Sequence, residues 1–310
     1  MSNSKDNKIF IMSNIIDGKK LAGEIRSTVK QAVSDLNDIG VSPGLATVIV
    51  GNDSASRTYV KNKIKSSNEV GIKSFNYDLD EKIDEEKLIE LVRKLNSDEK
   101  VDAILVQLPL PKHLCASKVI DSINPDKDVD GFSLINAGRT FLNRHGVVPC
   151  TPMGCLLLLR SIKFKMEGKN AVIIGRSNIV GKPMSQLLLN ENCTVTVAHS
   201  YTNNLSKLTR EADIIIAATG KHHMIKKDWV KKGSVVIDVG INRLPPDKDG
   251  KSRLAGDVDY DEVKKIAGAV TPVPGGVGPM TIACLLQNTV TAACAQNNLD
   301  QFCQETVHND

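Results

Sequence analysis

The sequence predicts an α/β fold made of two parallel sheets with a cleft between them. Two series of short β-branched runs alternate with helix-period segments, and that βαβ rhythm produces parallel strands covered by helices. A loop-rich stretch from Asn124 to Thr151 separates the series, and 310 residues suit two domains of ordinary size. The second series opens on a strand, a glycine turn and a helix, which gives it a Rossmann-type character.

Composition narrows the function classes. With 41% hydrophobic and 25% charged residues, the chain is neither fibrous nor wholly disordered. A net charge of +4 suits an anionic small molecule and is weak for a duplex-binding surface. At 4% aromatic content there is little to stack on single strands, so no nucleic-acid partner is expected. No apolar run is read as long enough to cross a bilayer, so no membrane partner is expected. Seven scattered cysteines, with no CxxC pair and no histidine at ligand spacing, read as reduced packing thiols of a cytoplasmic protein without a metal site. The opening residues have the character of neither a signal peptide nor a transit peptide.

Taken in order, residues 1–11 are polar and are expected to form a flexible extension. Met12-Ser13-Asn14 repeats Met1-Ser2-Asn3, which leaves either methionine as a candidate start. Leu21, Ile25, Val29, Val33 and Leu36 recur at helical spacing between Gly18 and Ile39, and Gly40 and Pro43 stop that helix. A strand follows over Leu45–Val50, a helix over Ser54–Val70, a strand over Lys73–Tyr77 and a helix over Glu85–Leu95. Asp102–Gln107 is a strand broken by Leu-Pro-Leu-Pro111. After the loop-rich stretch, Thr151 and Pro152 read as the cap and first residue of a helix. The second series has strands Ala171–Ile174, Thr194–Ala198, Asp213–Ala217 and Val235–Val239, with a helix over Pro183–Leu189. A turn cluster over Thr271–Pro279 precedes a final helix from Thr281 to Gln296.

The glycine turn reads Gly175-Arg-Ser-Asn-Ile-Val-Gly181-Lys-Pro183. Its spacing departs from GxGxxG, because Ser177 replaces the middle glycine and the last glycine falls one residue late. Gly175 still permits the tight turn, and a helix N-terminus then faces a pyrophosphate. An NAD site places an acid about 20 residues past the first glycine, to accept from the ribose 2′-hydroxyl. Here the second strand ends at Ala198-His199-Ser200 with no acid, while Arg176 supplies a cation and Ser200 a hydroxyl. That set favours a 2′-phosphate, and therefore NADP.

In the first half, Tyr59 and Lys63 are four residues apart and share one helix face, with Ser56 close to it. A ring to stack on a flat substrate and a group to move a proton fit that pair, although Lys61, Lys63 and Lys65 also read as a solvated face. Gln107 ends a buried strand at the carboxyl edge where α/β ligands bind. Asp126–Gly131 is acidic but lacks the acids of an EF-hand; it is either a solvated turn or a carboxylate for the paired N–H groups of a pterin-like ring.

Together these segments resemble the methylenetetrahydrofolate dehydrogenase/cyclohydrolase family. The resemblance rests on Ile15-Ile-Asp-Gly18, Ser56-Arg-Thr-Tyr59-Val-Lys-Asn-Lys63, Val106-Gln-Leu-Pro-Leu-Pro111, Lys127-Asp-Val-Asp-Gly131 and Pro149-Cys-Thr-Pro-Met-Gly154. It continues through the Gly175-Arg-Ser177 turn with Gly181, and through Thr271-Pro-Val-Pro-Gly-Gly-Val-Gly-Pro-Met-Thr281. It implies oxidation of 5,10-methylenetetrahydrofolate by NADP+, then hydrolysis of the methenyl product to 10-formyltetrahydrofolate. Lys63 would be the main catalytic group, held by Gln107, with Tyr59 against the aminobenzoyl ring and Asp130 anchoring the pterin. Ser56, Val106, Leu108 and the loop Pro274, Gly275, Gly276, Val277, Gly278 would complete the substrate side. Gly175, Arg176, Ser177, Ser200 and Ile241 would hold NADP.

The resemblance also implies a discontinuous folate-binding catalytic domain, residues 12–151 plus 281–304, completed by the C-terminal helix. An NADP-binding Rossmann-type domain over 152–280 is inserted into it, and a homodimer is expected. One departure is Gly220-Lys-His222-His223, where the family often carries Gly-Lys-Pro near the cofactor. Another NADP dehydrogenase acting on a small hydroxy acid would explain the Gly175 turn, but leaves Asp130 and the Pro274–Gly278 loop without a purpose. A non-enzymatic nucleotide-binding module would leave Tyr59, Lys63, Gln107 and Asp130 unused.

Overall fold

A computed structural model describes residues 14–245 and 253–306. The expected N-terminal extension and both candidate starts lie outside these residues. In chain order the elements begin β1 (Asn14–Ile15), α1 (Gly18–Asp38), β2 (Gly44–Val50), α2 (Ser54–Val70), β3 (Lys73–Leu79) and α3 (Glu85–Ser97). They continue with β4 (Ala103–Val106), α4 (Ala116–Asp121), α5 (Leu134–Phe141), α6 (Cys150–Ser161), β5 (Asn170–Ile174) and α7 (Gly181–Asn190). Next come β6 (Thr194–Ala198), α8 (Leu205–Glu211), β7 (Ile214–Ala217), β8 (Val235–Asp238), β9 (Asn242–Arg243) and β10 (Leu254–Ala255). The last are α9 (Tyr260–Val263), β11 (Ala269–Val270), α10 (Val277–Gln296) and α11 (Asp300–Thr306).

Two parallel sheets result, as the alternating pattern predicts. The smaller has the order β3-β2-β4; the larger runs β1-β11-β8-β7-β5-β6, with every pairing parallel. In the larger sheet β5 lies between β6 and β7, so the chain turns opposite ways on either side of it. That reversal opens a crevice at the carboxyl ends of β5 and β7, where dinucleotides bind in such folds. β1 pairs with β11, which puts the chain's first described strand on the larger sheet, although the residues that follow it build the smaller one.

Between the sheets lies a helical layer of α1, α6 and α10. Val277, Met280 and Ala283 of α10 pack in one core with β5, β7 and β8, and Cys284, Leu285, Leu286 and Val290 pack in a second with β2 and β4. The sequence reading finds no run of membrane-spanning length, yet α10 is 20 residues long and apolar enough to qualify by composition. Its apolarity belongs to burial on several sides within the core.

Several helices differ from expectation, α7 for one starting at Gly181 and not Pro183. α10 begins at Val277 and not Thr281, because Pro279 is its third residue and needs no intrahelical N–H bond there. For the same reason α6 starts at Cys150, with Pro152 third and Thr151 inside the first turn, where its hydroxyl lies 3.0 Å from that of Thr281. The stretch read as loop holds α5, capped by Ser133, and α4 lies just before it. At the mouth of the layer, Gly18 sits against the Gly276 carbonyl so closely that a Cβ there would overlap it.

Leu285 is fully buried in the second core. Leu285→Ala is expected to destabilise the chain by about 2–5 kcal/mol, read as a lower denaturation midpoint in urea.

Candidate active site

Helix α2 presents two different faces. Asp53 caps it, accepting from the Ser56 N–H at 2.8 Å and the Ser56 hydroxyl at 2.7 Å, and Gly71 ends it in the left-handed conformation. Ser56, Val60, Lys63, Ser67 and Val70 turn inward, whereas Ala55, Tyr59, Asn62, Ser66 and Glu69 face a cavity of about 610 Å³. That cavity opens between the two sheets. Tyr59, Pro274, Gly275, Gly276, Val277 and Gly278 form part of its wall, and so does Ile241 at the end of β8. The expected substrate loop and one expected cofactor residue therefore share a single space.

Lys63, one turn on from Tyr59, belongs to the inward side of α2. Only 6% of its surface is exposed, and its Nζ donates to Gln107 Oε1 at 3.1 Å. Gln107 is fixed in turn: its amide donates to the Leu108 carbonyl at 2.6 Å, and its backbone N–H to Val48 O at 2.8 Å. Val106 is buried in β4 and Leu108 half-buried beyond it. Asp130 faces Lys63 electrostatically. Burial pushes its carboxyl up to about 6, Lys63 opposes that rise, and the neighbouring Asp128 adds to it. Burial also raises the Tyr59 phenol.

The loop carrying Asp130 is held by residues that the sequence reading did not single out. Asp128 accepts from the N–H groups of Gly131 and Ser133 at 3.0 and 2.8 Å and from the Asn136 amide at 3.1 Å. Asn288 of α10 donates to Val129 O at 2.9 Å and Val148 O at 3.2 Å, tying the Asp130 loop to the start of α6. The Cys150 thiol lies in the same pocket and donates to Val129 O at 3.3 Å. Its burial, with Asp130 nearby, raises its pKa well above the ordinary thiol value. Cys150 falls within a quoted motif; Asn288 sits in no motif and carried no sequence signal.

The remaining candidates form a third group along the carboxyl edge of the larger sheet. Gly175 has φ +127°, and a Cβ there would overlap the Ala218 carbonyl, so glycine alone fits between β5 and β7. Ser177 accepts from the N–H groups of Val180 and Gly181 at 3.2 and 3.4 Å, shaping the turn into α7. Ile174 of β5 is in register with Ala198 of β6. Arg176 and Ser200 each lie two residues past that pair, so they stand at one level on adjacent strand ends, both exposed. No acid follows either strand there. The cation, the hydroxyl and the glycine-lined crevice fit a dinucleotide carrying a 2′-phosphate. His222 and His223 lie in the loop after β7 with their rings stacked 3.8 Å apart, exposed to solvent.

The Asp130 carboxyl keeps its proton to about pH 6 in the folded chain, against an ordinary 3.8. Between those values folding takes up a proton, so this group's contribution to stability falls as pH rises from 4 to 6. Asp130→Asn is expected to flatten that decline and to stabilise the chain at pH 7 by up to about 3 kcal/mol. Urea unfolding at pH 4.5 and pH 7 measures both effects.

Comparison with known proteins points the same way as the geometry. Residues 16–130 match the catalytic-domain model of tetrahydrofolate dehydrogenase/cyclohydrolase, and residues 149–297 match its NAD(P)-binding-domain model. Bifunctional protein FolD 2 of Paracoccus denitrificans is 54% identical over 288 residues, covering 93% of this chain and 95% of that protein. The crystal structure of the Campylobacter jejuni bifunctional methylenetetrahydrofolate dehydrogenase/cyclohydrolase superposes with a TM-score of 0.88 at 48% identity, covering 92% of this chain and 99% of that one. The Trypanosoma brucei dehydrogenase-cyclohydrolase, solved with NADP cofactor and inhibitor, gives a TM-score of 0.88 at 37% identity, covering 92% and 98%. With both halves matched in order and a bacterial relative identical at more than half of the aligned positions, the chain belongs to the tetrahydrofolate dehydrogenase/cyclohydrolase family.

Proposed function

We infer that the family's two reactions run at one site in this chain, with Lys63 at the reacting carbon. The chain is an NADP-dependent methylenetetrahydrofolate dehydrogenase and methenyltetrahydrofolate cyclohydrolase. NADP+ supplies a hydride acceptor, and the methylene carbon of the substrate becomes the methenyl cation. Water then adds to that carbon, a proton leaves, and the bond from the carbon to N5 breaks to give 10-formyltetrahydrofolate. The single observation that carries the role of Lys63 is its burial with Nζ on the Gln107 amide and Asp130 beside it.

Each residue has a task in this reading. Lys63 moves the proton between the attacking water and the departing nitrogen, and Gln107 fixes where Nζ points. Asp130 accepts the paired N–H groups of the pterin. Tyr59 packs on the aminobenzoyl ring, and the Pro274–Gly278 loop lets the backbone approach the substrate closely. Ser56 acts through the cap of α2, holding the register of Tyr59 and Lys63, while Val106 and Leu108 set the position of Gln107. Gly175, Ser177 and Ile241 cradle the cofactor, and Arg176 with Ser200 takes its 2′-phosphate.

The same reading assigns residues 12–151 and 281–304 to the folate side and 152–280 to NADP, with β1 crossing to the larger sheet. It also includes a homodimer. Supporting it is an apolar face left bare along α5, α7 and β6, comprising Leu134, Ile135, Phe141, Leu142, Leu189 and Val197. A reducing cytoplasmic setting is supported by the buried thiols Cys150, Cys155, Cys193 and Cys284, which pack in the core without a disulfide.

Lys63→Met is expected to abolish decay of the methenyl absorbance while leaving the thermal melt of a folded protein. Full retention of hydrolysis would sink the role of Lys63. Arg176→Ala is expected to lower the NADP-over-NAD preference in kcat/KM by roughly tenfold or more, since a charge-assisted pair with phosphate contributes about 1.5–3 kcal/mol. An unchanged ratio would remove Arg176 from the phosphate site.

A further inference from the structure

Two buried carboxylates stand behind the cofactor edge of the larger sheet, and the reactions described above use neither. Asp238 ends β8 with 2% of its surface exposed, and Asp257 is fully buried in the segment after β10. Asp238 accepts from the N–H groups of Gly240 and Asp257 at 3.0 Å each and of Val258 at 2.9 Å. Gly256 fits beside it only because it lacks a side chain, since a Cβ there would overlap the Asp238 carboxylate. Asp257 Oδ2 accepts from Thr219 N at 2.5 Å and Gly220 N at 2.9 Å, and its Oδ1 accepts from the Asn242 amide at 2.9 Å. Its own carbonyl accepts from Ile225 N at 2.9 Å, which anchors the segment on the far side of the same loop.

The two loops so joined are the ones that leave β7 and β8 at the crevice. The first begins at Ala218, whose carbonyl abuts Gly175; the second carries Ile241 into the cavity wall. Buried carboxylates with every oxygen engaged by backbone or side-chain N–H groups fix loop geometry more firmly than loop packing does. A mere fold-stabilising role would place such a pair anywhere in the core. Here every loop partner of the two carboxylates, Thr219, Gly220, Gly240 and Asn242, lies within two residues of Ala218 or Ile241.

We propose that Asp257, backed by Asp238, is a positioning residue for NADP, holding the loops after β7 and β8 as one wall against the nicotinamide half of the cofactor. The inference rests on the reading that NADP occupies the crevice between Gly175 and Ile241. It separates the two activities, because hydride transfer needs that wall and hydrolysis at Lys63 does not.

The test is Asp257→Ala, with NADP affinity measured by quenching of intrinsic fluorescence and both activities measured on the same preparation. The expected result is a Kd for NADP raised about tenfold or more, dehydrogenase activity lowered with a raised KM for NADP, and methenyl hydrolysis within about twofold of wild type. Asp257→Asn is expected to restore most of the affinity, because its amide oxygen still accepts from Thr219 and Gly220 once Asn242 turns its amide over. Wild-type NADP affinity in a folded Asp257→Ala protein overturns the proposal, and so does a parallel loss of both activities. Should that variant not fold, Asn242→Ala decides in its place: a raised Kd for NADP with hydrolysis intact supports the clasp, and an unchanged Kd overturns it. Failure of the wild-type protein to bind NADP at all would instead refute the underlying reading of the crevice.

Discussion

The burial of α10 is the constraint on which the rest of the molecule depends. Its first turns pack with the strands of the larger sheet, and its middle packs with those of the smaller one. A helix this apolar has one stable place in water, between two hydrophobic surfaces, and that place fixes how the sheets meet. Its N-terminal turn delivers Val277 and Gly278 to the cavity wall, and Asn288, three turns further on, pins the loop of Asp130. Two parts of the proposed substrate site are thus rigid attachments of a single element. This is how side chains far apart in sequence are held to a fixed geometry without relying on loops alone.

Inside that frame the site is electrostatically unfavourable by construction. A lysine with 6% of its surface exposed has lost most of its hydration, and its direct partner is a neutral amide. The nearby carboxyl of Asp130 is itself pushed up to about 6 by burial. Packing elsewhere offsets the cost of keeping this lysine dry. Ionic pairs on the surface, such as Lys20–Glu24 and Lys94–Glu90, are exposed and contribute little to that compensation.

How much of this was legible in the sequence depended on distance along the chain. α2 was read to the residue because its cap, its apolar period and its terminal glycine are all local signals. The longer strands β2 to β8 are legible for the same reason, within a residue or two at each end, whereas the two-residue strands β1, β9, β10 and β11 are too short to leave a pattern. α5 was missed because it is short, and its apolar residues Leu134, Ile135 and Phe141 stay exposed, so its pattern does not follow a buried face. The start of α10 was misplaced because Gly-Gly-Val-Gly-Pro spells a turn, yet a proline is harmless in the first turn of a helix. In the site, the four-residue step from Tyr59 to Lys63 is visible, although the fold turns Lys63 inward and leaves Tyr59 on the cavity instead of giving them one shared face; the strand ends at Arg176 and Ser200 are visible too. Asn288 was invisible, because its partner Val129 is 159 residues away and an asparagine in an apolar helix announces nothing. The paired aspartates were hidden likewise, since only folding brings positions 219, 238, 242 and 257 together.

The short strand β1 bears on how this chain can be divided. It contributes only Asn14 and Ile15, but it hydrogen-bonds to β11 and then leads within three residues into α1, a helix of the layer between the sheets. The nucleotide-binding half cut out alone would therefore end in an unprotected sheet edge, an invitation to self-association. The folate half cut out alone would begin with two residues stripped of their sheet. β1 and α10, far apart in the sequence, thus work as a lacing that passes through both halves. A gene fusion or domain swap that respects only the midpoint boundary would sever it, so exchange of cofactor modules within this architecture has to carry the first strand along.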